Sequence, residues 1–488
     1  MSNLTIAQFF HWYYPRENNL WLHVKAEAEQ LAALGITHVW LPPAYKSAGG
    51  DHEAGYAVYD LYDLGEFDQK GSVRTKYGTR DEYLQAIEAL HHNGIQVLAD
   101  VVLNHKTGGD EEETVTVHNV QADNRNQADS QTYTTKAFTR FTFPGRNKKY
   151  SSFIWDWQCF TGTNIDNKIA IIHSQYSQNQ WDNVPGTEYG NFDYLMGNDV
   201  NFRNPYVAEE LKNWGKWYAA TTGIDGFRVD ALKHMNAAFL TAWLQTIRED
   251  QKKDMLFIGE YWKGEKEQLL GYINQTNGII QLFDVGLHYS FQQAAQQGNR
   301  FDMRTIFNNT LIANNPALTI TFTDNHDTQP LQTIASFIDN WFRPIAYALI
   351  LLREQGIPCI FYPDLYGAGY AMNDQHVHLD KVPGMELMLR VRKDIAYGKQ
   401  QDYFDDPHII GWTRAGDADK AGSGCAVLIS NDSSGEKRMM LGQQHKLKTF
   451  KDLLGNRNEI VQLNEQGEGT FFVNGGKVSV WVSEKYMP

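Results

Sequence analysis

The chain has 488 residues, more than one hydrophobic core usually supports, so about two or three domains are expected. A hydrophobic share of 42% with 21% charged residues is typical of a globular protein and excludes an intrinsically disordered one. The formal net charge of -14 argues against a phosphate-binding surface, and therefore against a nucleic-acid partner.

Location is indicated by the amino terminus and the cysteines. The first residues lack the basic start, apolar run and cleavage site of a signal peptide, and no run of about 18 apolar residues predicts a membrane span. Cys159, Cys359 and Cys425 are odd in number and far apart, which favours reduced thiols over a disulfide framework. We expect a cytoplasmic monomer without a membrane partner, although a secreted chain trimmed of its leader would look the same.

Along the chain, a helical stretch followed by Gly-Ile and an apolar run recurs. The segments are LAALGITHVWLPP (31–43), LHHNGIQVLADVVLNH (90–105), ATTGIDGFRVD (220–230), QTNGIIQLFDVGLH (275–288) and REQGIPCIFYPD (353–364). Glycine supplies the left-handed conformation that ends a helix, and a β-branched residue then begins a strand. With the apolar runs at 4–12, 255–262 and 317–327, this gives eight strands alternating with helices. The pattern predicts an α/β fold, a closed (β/α)8 TIM barrel.

Two of the helices have clear start signals. Thr79 and Glu82 form a capping box before an apolar stripe. Asn204 and Pro205 open another helix, and Gly223 is expected to end it.

Two segments fall outside the barrel pattern. The glycine caps at 94 and 223 are much further apart than those at 35 and 94, so an irregular, β-rich domain is inserted after the third strand. Near the carboxyl terminus the helical period disappears, and short alternating runs such as KVSVWV (477–482) predict an antiparallel β-sandwich. The predicted domains are a barrel of residues 1–104 and 205–397, an insert of residues 105–204, and a carboxyl-terminal sandwich of residues 398–488.

Charged residues stand at the carboxyl ends of the predicted barrel strands, where the chemistry of such barrels lies. They are Asp100, Asn104 and His105 on strand three, Arg228 and Asp230 on strand four, Glu260 on strand five, and His326 and Asp327 on strand seven. A single aspartate there can be only a helix cap. Carboxylates on several strands, beside an arginine and two histidines, indicate a catalytic site.

Two carboxylates across a scissile bond are what glycoside hydrolysis requires. Arg228, two residues before Asp230 on the same strand face, would hold Asp230 ionised through a charge-assisted hydrogen bond. Glu260 has no basic neighbour in the sequence and lies in the apolar, aromatic segment 257–262. Such a setting raises the pKa of a carboxyl group toward that of a useful acid.

These segments resemble a known family. DVVLNH (100–105), GFRVDALKH (226–234), FIGEYW (257–262) and FTDNHD (322–327) are similar, in order, to the four motifs of the α-amylases of glycoside hydrolase family 13. The resemblance is strongest to bacterial liquefying-type and intracellular α-amylases, and it covers almost the whole chain. It implies an endo-acting, retaining hydrolase of α-1,4-glucosidic bonds in starch, glycogen or maltooligosaccharides.

The resemblance also implies roles for individual residues. Asp230 would be the nucleophile and Glu260 the acid/base, while Asp327 would bind sugar hydroxyls and help distort the reacting ring. Tyr56 would stack beneath that ring, and Lys233 would contact the sugar on the leaving side. The remaining substrate-binding residues implied are His105, Arg228, His234, Trp262 and His326.

Calcium is the metal that the resemblance implies. Its ligands would be Asn104, Asp193, Asp199 and the backbone carbonyl of His234, with Asp182 as a further contributor, and oxygen ligands suit this hard cation. Liquefying enzymes carry additional aspartates where this chain has Thr161, Asn201 and Arg203. We therefore expect one calcium ion and lower heat resistance than in the thermostable relatives.

Three alternatives follow from the same residues. A transglycosylase or an exo-acting, maltooligosaccharide-forming enzyme would use the same carboxylates. A catalytically dead glucan-binding protein is disfavoured because all three carboxylates are present. An aldolase would need a lysine at a strand end for a Schiff base, and the candidate, Lys233, belongs to an α-amylase motif.

Overall fold

The structure is a computed structural model that describes residues 3–486, and a closed barrel of eight parallel strands lies at its centre. The eighth strand closes the barrel against the first, with Cys359 opposite Ile6. The prediction of a (β/α)8 barrel is confirmed. In chain order the barrel strands are Ile6–Gln8, His38–Leu41, Gln96–Val101, Gly226–Val229, Leu256–Gly259, Gln281–Phe283, Thr319–Phe322 and Ile357–Phe361.

A helix follows each barrel strand and covers its outer side. The predicted capping box at Thr79 and Glu82 is present, and Asn204 and Gly223 cap the two ends of the helix after the third strand. The strands are therefore buried on both faces, between the barrel interior and the helices. The helices are Leu20–Leu34, Arg80–His92, Pro205–Thr222, Ala237–Gln251, Lys266–Gln275, Val285–Gln297, Arg343–Leu351 and Met385–Asp394, with a short additional helix at Tyr362–Tyr366.

The inserted segment is more regular than its polar sequence suggests, because it forms a six-stranded antiparallel sheet. Long polar strands such as Glu111–Asn119 bury alternate residues, Val115 and Val117, and expose the others. The order across the sheet is His105–Lys106, Asn198–Val200, Phe160–Ile165, Lys168–Ile172, Glu111–Asn119 and Tyr133–Arg140. Asp199 pairs with His105, so the insert leaves and rejoins the barrel at the end of the third strand.

The carboxyl-terminal strands form a β-sandwich, as predicted. Leu428, Met439, Phe471 and Trp481 belong to the core between its two sheets. The larger sheet has the order Gln400–Tyr403, Ile409–Arg414, Cys425–Ser430, Val478–Ser483, Thr449–Asp452 and Val461–Gln462, and the smaller one pairs Gly435–Met440 with Glu468–Val473.

Two small antiparallel sheets follow barrel strands. Lys46–Ser47 pairs with Val58–Asp60 after the second strand, and Ala368–Met372 pairs with Gln375–Leu379 after the eighth. Across residues 3–486, no helix is both long and apolar enough to cross a membrane. The three cysteines are buried and form no disulfide.

Candidate active site

Arg228 lies at the centre of the barrel mouth and joins three carboxylates. Its Nη1 donates to Oδ1 of Asp100 at 3.0 Å and to Oδ1 of Asp230 at 2.5 Å, while its Nη2 donates to Glu260. The strand register explains this convergence, because Arg228 lies opposite Asp100 on one neighbouring strand and opposite Ile258 on the other. Burial alone would lower the pKa of Arg228, but the three carboxylates raise it well above its ordinary value.

Asp100, one of the charged strand-end residues of the sequence, is part of this cluster, although no specific role was predicted for it. It is fully buried, and its Oδ2 accepts hydrogen bonds from Trp40 Nε1 at 3.0 Å and from the Tyr56 hydroxyl at 2.7 Å. Burial raises the pKa of Asp100 to about 6, with Arg228 opposing the shift and the charge of Asp230 adding to it. Asp100 therefore orients both Arg228 and Tyr56 through hydrogen bonds.

Glu260 is the carboxyl group whose setting differs most from the expectation. The sequence shows no basic neighbour, yet the structure places the guanidinium of Arg228 against it. Burial nevertheless raises the pKa of Glu260 well above its ordinary value, and the charges of Asp230 and Asp327 raise it further while Arg228 opposes them. The group is thus biased toward the protonated form that an acid catalyst needs.

Asp327 lies on the other side of the mouth, after the seventh strand. Burial raises its pKa to about 7, opposed by Arg228 and increased by the charges of Asp230 and Asp100. Oδ2 of Asp327 lies 3.3 Å from Nε2 of His326. The third predicted carboxylate therefore faces the same group of charges as the other two.

An aromatic stack lies beside these carboxylates. The ring of Tyr56 is parallel to that of His326 at 5.1 Å and to that of Trp12 at 5.4 Å. Gln8 donates from Nε2 to Nδ1 of His326 at 2.9 Å, and burial lowers the pKa of His326 well below its ordinary value. The imidazole is therefore neutral and carries its proton on Nε2, directed toward Asp327. Trp12 was missed from the sequence because no motif contains it.

His105 completes this side of the site. Its Nε2 donates to the backbone carbonyl of Tyr56 at 2.9 Å. Burial lowers the pKa of His105, so this ring is also held neutral.

Lys233, His234 and Trp262 follow the fourth and fifth strands. Lys233 Nζ donates to Glu188 of the insert at 2.9 Å, and Lys263 Nζ lies 3.1 Å from the same carboxylate. Although burial acts in the opposite direction, the hydrogen bonds to both lysines lower the pKa of Glu188 to about 2. Glu188 was not predicted, because nothing in its local sequence indicates that the insert folds back over these strands.

The other two residues of this group are also held by specific contacts. His234 Nδ1 donates to the carbonyl of Phe192 at 2.6 Å, and Trp262 Nε1 donates to the hydroxyl of Tyr289 at 3.1 Å. Burial lowers the pKa of His234 to about 4.

The predicted metal ligands lie where the insert meets the barrel. Asn104, Asp182, Asp193 and Asp199 are all buried, and Asp193 Oδ2 accepts a hydrogen bond from the backbone N–H of Asp182 at 2.8 Å. The backbone N–H of Val200 donates to the carbonyl of Asn104 at 2.9 Å, which brings Asn104 beside Asp199.

Several oxygens of this group have no hydrogen-bond partner. They are Oδ1 of Asn104, Oδ2 of Asp182 and Oδ2 of Asp199. Burial and the charges of the neighbouring aspartates raise the pKa of Asp199 well above its ordinary value. Within residues 3–486, no three His, Cys, Asp or Glu side chains form a metal site by themselves, so amide and carbonyl oxygens would have to contribute.

A glycoside hydrolase uses carboxyl groups that different electrostatic settings keep in different protonation states, and the mouth of this (β/α)8 barrel holds such groups. Comparison with known proteins gives the family, because the model described as "Alpha amylase, catalytic domain" matches residues 26–414. The chain belongs to the alpha-amylase family.

Relatives of high identity span nearly the whole chain. It is 49% identical to an alpha-amylase of Geobacillus stearothermophilus, covering 99% of this chain and 87% of the relative. It is 45% identical to the cytoplasmic alpha-amylase of Escherichia coli (strain K12), covering 99% and 100%. It is also 44% identical to a glucan 1,4-alpha-maltohexaosidase of Bacillus sp. (strain 707), covering 99% and 93%.

Proposed function

We propose that this protein is an endo-acting, retaining hydrolase of α-1,4-glucosidic bonds in starch, glycogen or maltooligosaccharides. The observation that carries the proposal is the guanidinium of Arg228, which contacts Asp230 and Glu260 from adjacent strands. A retaining mechanism needs its two carboxyl groups at roughly 5–5.5 Å, without space for an intervening water. The shared guanidinium holds these two carboxyl groups near each other, which supports the retaining mechanism.

In the first step, an oxygen of Asp230 attacks the anomeric carbon while Glu260 transfers its proton to the leaving glycosidic oxygen. The glycosidic bond breaks and a glycosyl ester of Asp230 forms. In the second step, Glu260, now ionised, takes a proton from water, which attacks the same carbon and releases Asp230. The raised pKa of Glu260 supports its role as the acid of the first step.

The other residues position the sugar. Asp327 and Nε2–H of His326 bind hydroxyls of the ring attached to Asp230, and Tyr56 stacks beneath it. His105 binds the same ring, and Arg228 orients Asp230. On the leaving side, across the barrel mouth, the contacting residues are Lys233, His234 and Trp262.

Calcium fits the residues at the junction of insert and barrel. The buried oxygens of Asn104, Asp182 and Asp199 without hydrogen-bond partners are hard donors of the kind that this cation binds. Asp193 and the carbonyl of His234 would complete the set. When bound, the ion neutralises the clustered carboxylates and ties the insert to the barrel.

We also propose a cytoplasmic location and the domain division given above. The three reduced cysteines and the relative named as a cytoplasmic alpha-amylase support the location. The separate sheets of residues 105–200 and 400–483 support the division into a barrel, an insert and a carboxyl-terminal domain.

A second candidate is an exo-acting enzyme that releases maltooligosaccharides of fixed length. The relative named as a glucan 1,4-alpha-maltohexaosidase favours it, because its identity to this chain is close to that of the two alpha-amylases. The two functions share the same carboxylates and differ in whether a free chain end is required.

The test compares maltoheptaose with a free non-reducing end and maltoheptaose blocked at that end. We expect cleavage of both, with the product released initially as the α-anomer. Glu260→Gln should lower kcat by roughly 10²–10⁴-fold, because the proton donor is lost. Glu267→Gln, which alters an exposed glutamate after the same strand, is the control. Failure to cleave the blocked substrate would favour the exo-acting candidate, and a β-anomeric product would refute retention.

A further inference from the structure

Two tyrosines from opposite ends of the barrel sequence stack on each other at its mouth. The rings of Tyr13 and Tyr370 lie 4.4 Å apart and within 19° of parallel. Tyr13 follows the first barrel strand, and Tyr370 lies in the strand Ala368–Met372 that follows the eighth. Both rings are only partly buried, and the side chain of Met372, on the same face of that strand as Tyr370, is 39% exposed.

Hydrogen bonds hold this stack in one orientation. The hydroxyl of Tyr370 donates to the carbonyl of Pro330 at 3.0 Å, and that of Tyr13 donates to the carbonyl of Leu331 at 2.9 Å. The Tyr13 hydroxyl also lies 3.3 Å from the sulfur of Met372. Because the polar ends of the rings are already bonded, the exposed parts are apolar and fixed before any ligand arrives, which lowers the entropic cost of binding.

A second group of stacked rings, beside the carboxylates, is anchored next to this pair. Trp12, next to Tyr13 in the chain, lies parallel to the rings of Tyr56 and His326. Its backbone N–H donates to Oε1 of Gln329 at 3.0 Å, in the segment that also carries the two anchoring carbonyls. The same short segment, residues 329–331, therefore anchors both the Tyr13–Tyr370 pair and the Trp12 ring of the stack beside the carboxylates.

The strand order of the barrel decides which side of the cleaved bond this surface serves. The first and eighth strands are neighbours, and the fourth and fifth strands lie across the mouth from them. Lys233 and Trp262, on the leaving side, follow the fourth and fifth strands. With the leaving side assigned as proposed, a glucan chain that passes the carboxylates and continues away from these two residues would reach Tyr13 and Tyr370 with its non-reducing part.

We propose that Tyr13, Tyr370 and Met372 form an aromatic ledge that binds a glucose unit on the non-reducing side of the cleaved bond. The inference rests on the proposed function and deepens it. The ledge would stack against the C–H face of a pyranose ring, removing apolar surface of both partners from water. It sets how many glucose units beyond the reacting ring contribute to binding, and so determines the preferred chain length.

The test measures kcat/KM on reducing-end-labelled maltooligosaccharides of increasing length. Tyr370→Ala removes the outer ring, and Tyr370→Phe is the matched control that keeps the ring and loses only its hydroxyl. We expect Tyr370→Ala to act like the wild type on the shortest substrates. On chains long enough to reach the ledge, it should lose about five- to tenfold in kcat/KM, mainly through KM, as expected for one stacking contact. Its cleavage of labelled maltoheptaose should shift toward other bonds.

Two further variants distinguish a loss of sugar binding from damage to the local structure. Tyr370→Leu retains apolar bulk against Tyr13, and Met372→Ser alters the exposed edge of the ledge, so a smaller loss with the same length dependence is expected from each. An equal loss at every chain length, or no loss at any length in the folded Tyr370→Ala protein, overturns the proposal.

Failure of the ledge and failure of the proposed function are distinguishable. If the wild type cleaves blocked maltoheptaose but Tyr370→Ala shows no length dependence, only the ledge is wrong. If the wild type cleaves nothing, the proposed function fails. The ledge is then tested alone by calorimetry, which compares the binding of maltoheptaose to Glu260→Gln and to the double variant Glu260→Gln/Tyr370→Ala. Weaker binding by the double variant supports the ledge, and equal binding overturns it.

Discussion

At the scale of single residues, the site depends on one buried cation. Asp100, Asp230 and Glu260 are like charges brought together in a buried setting, which is costly unless each is paired and hydrogen-bonded. Arg228 meets this need with a planar fork whose two Nη atoms reach carboxylates on both neighbouring strands. A lysine ammonium is a point charge and cannot span the same three groups.

Arg228→Lys should therefore lose activity although it retains the positive charge. We expect kcat on blocked maltoheptaose to fall by at least about 10²-fold, because Asp230 and Glu260 lose their common orientation. Arg248→Lys is the control and should stay within about twofold, because the Arg248 guanidinium contacts the carbonyl of Met255 and the ring of Phe257 and none of the three carboxylates. Comparable kcat values for the two variants would contradict the role given to the guanidinium.

The pH dependence of activity tests the coupling between Asp327 and Glu260. Burial raises the pKa of Glu260 most, and the negative charge that Asp327 carries when it is ionised raises it further. In the proposed mechanism Glu260 acts as the acid in its protonated form, so we expect activity to be lost as pH rises through its pKa. Asp327→Asn removes one negative charge and should lower that pKa, moving the alkaline limb of the kcat/KM profile to lower pH. The residual kcat/KM of Asp327→Asn, measured across the pH range, gives this shift. An alkaline limb at the same pH as in the wild type, or at higher pH, would contradict the coupling.

The sequence predicted that these carboxyl groups stand at strand ends, but it did not predict which side chains they contact. Strand-end positions marked Asp230, Glu260 and Asp327, because a parallel barrel brings such ends to one rim. The bond from Trp40 to Asp100 and the contact of Arg228 with Glu260 depend on how side chains from separate strands pack inside the barrel. No local signal in the sequence encodes those contacts.

At the scale of elements, the insert supplies part of the active-site wall. The segment around Glu188 folds back over the fourth and fifth strands, where Glu188 contacts Lys233 and Lys263. Gly186 makes this close approach possible, since a Cβ there would lie 2.7 Å from the carbonyl of Lys233. The Gly-Ile pattern predicted five of the eight barrel strands, because each of these follows a helix cap, and apolar runs predicted the other three. The insert was predicted to be β-rich but irregular; its six strands and their order were not predicted, because no such glycine signals mark them.

Glu188→Gln tests whether the insert positions Lys233 for the leaving sugar. Loss of the charge weakens the hydrogen bonds to both lysines, so we expect KM for maltoheptaose to rise about three- to tenfold with kcat changed less. Glu209→Gln, an exposed glutamate on the helix after the insert, is the matched control. A variant with unchanged KM would show that Lys233 is held without Glu188.

At the scale of the whole molecule, the insert is joined to the barrel where the third strand ends. The chain leaves the barrel at His105 and returns through Asn198–Val200, and the pairing of Asp199 with His105 closes this junction. Asp182, Asp193 and Asp199 meet there with Asn104, and Arg203 is a cation that opposes their charge. One arginine does not balance three buried carboxylates when all are ionised, which supports the proposed calcium ion at this junction.

Removal of calcium should therefore destabilise the junction first. A ligand present at about 1,000 times its Kd contributes about 4 kcal/mol to the folded state, so we expect a chelator to lower Tm by roughly 5–10 °C. For Asp199→Asn, which lacks one of the proposed ligands, the Tm measured in calcium and the Tm measured in chelator should be nearly the same. Asp123→Asn, an exposed aspartate of the same insert, should keep the full response. Differential scanning calorimetry in calcium and in chelator measures both, and a wild-type Tm that does not fall in chelator would exclude a structural role for calcium at this junction.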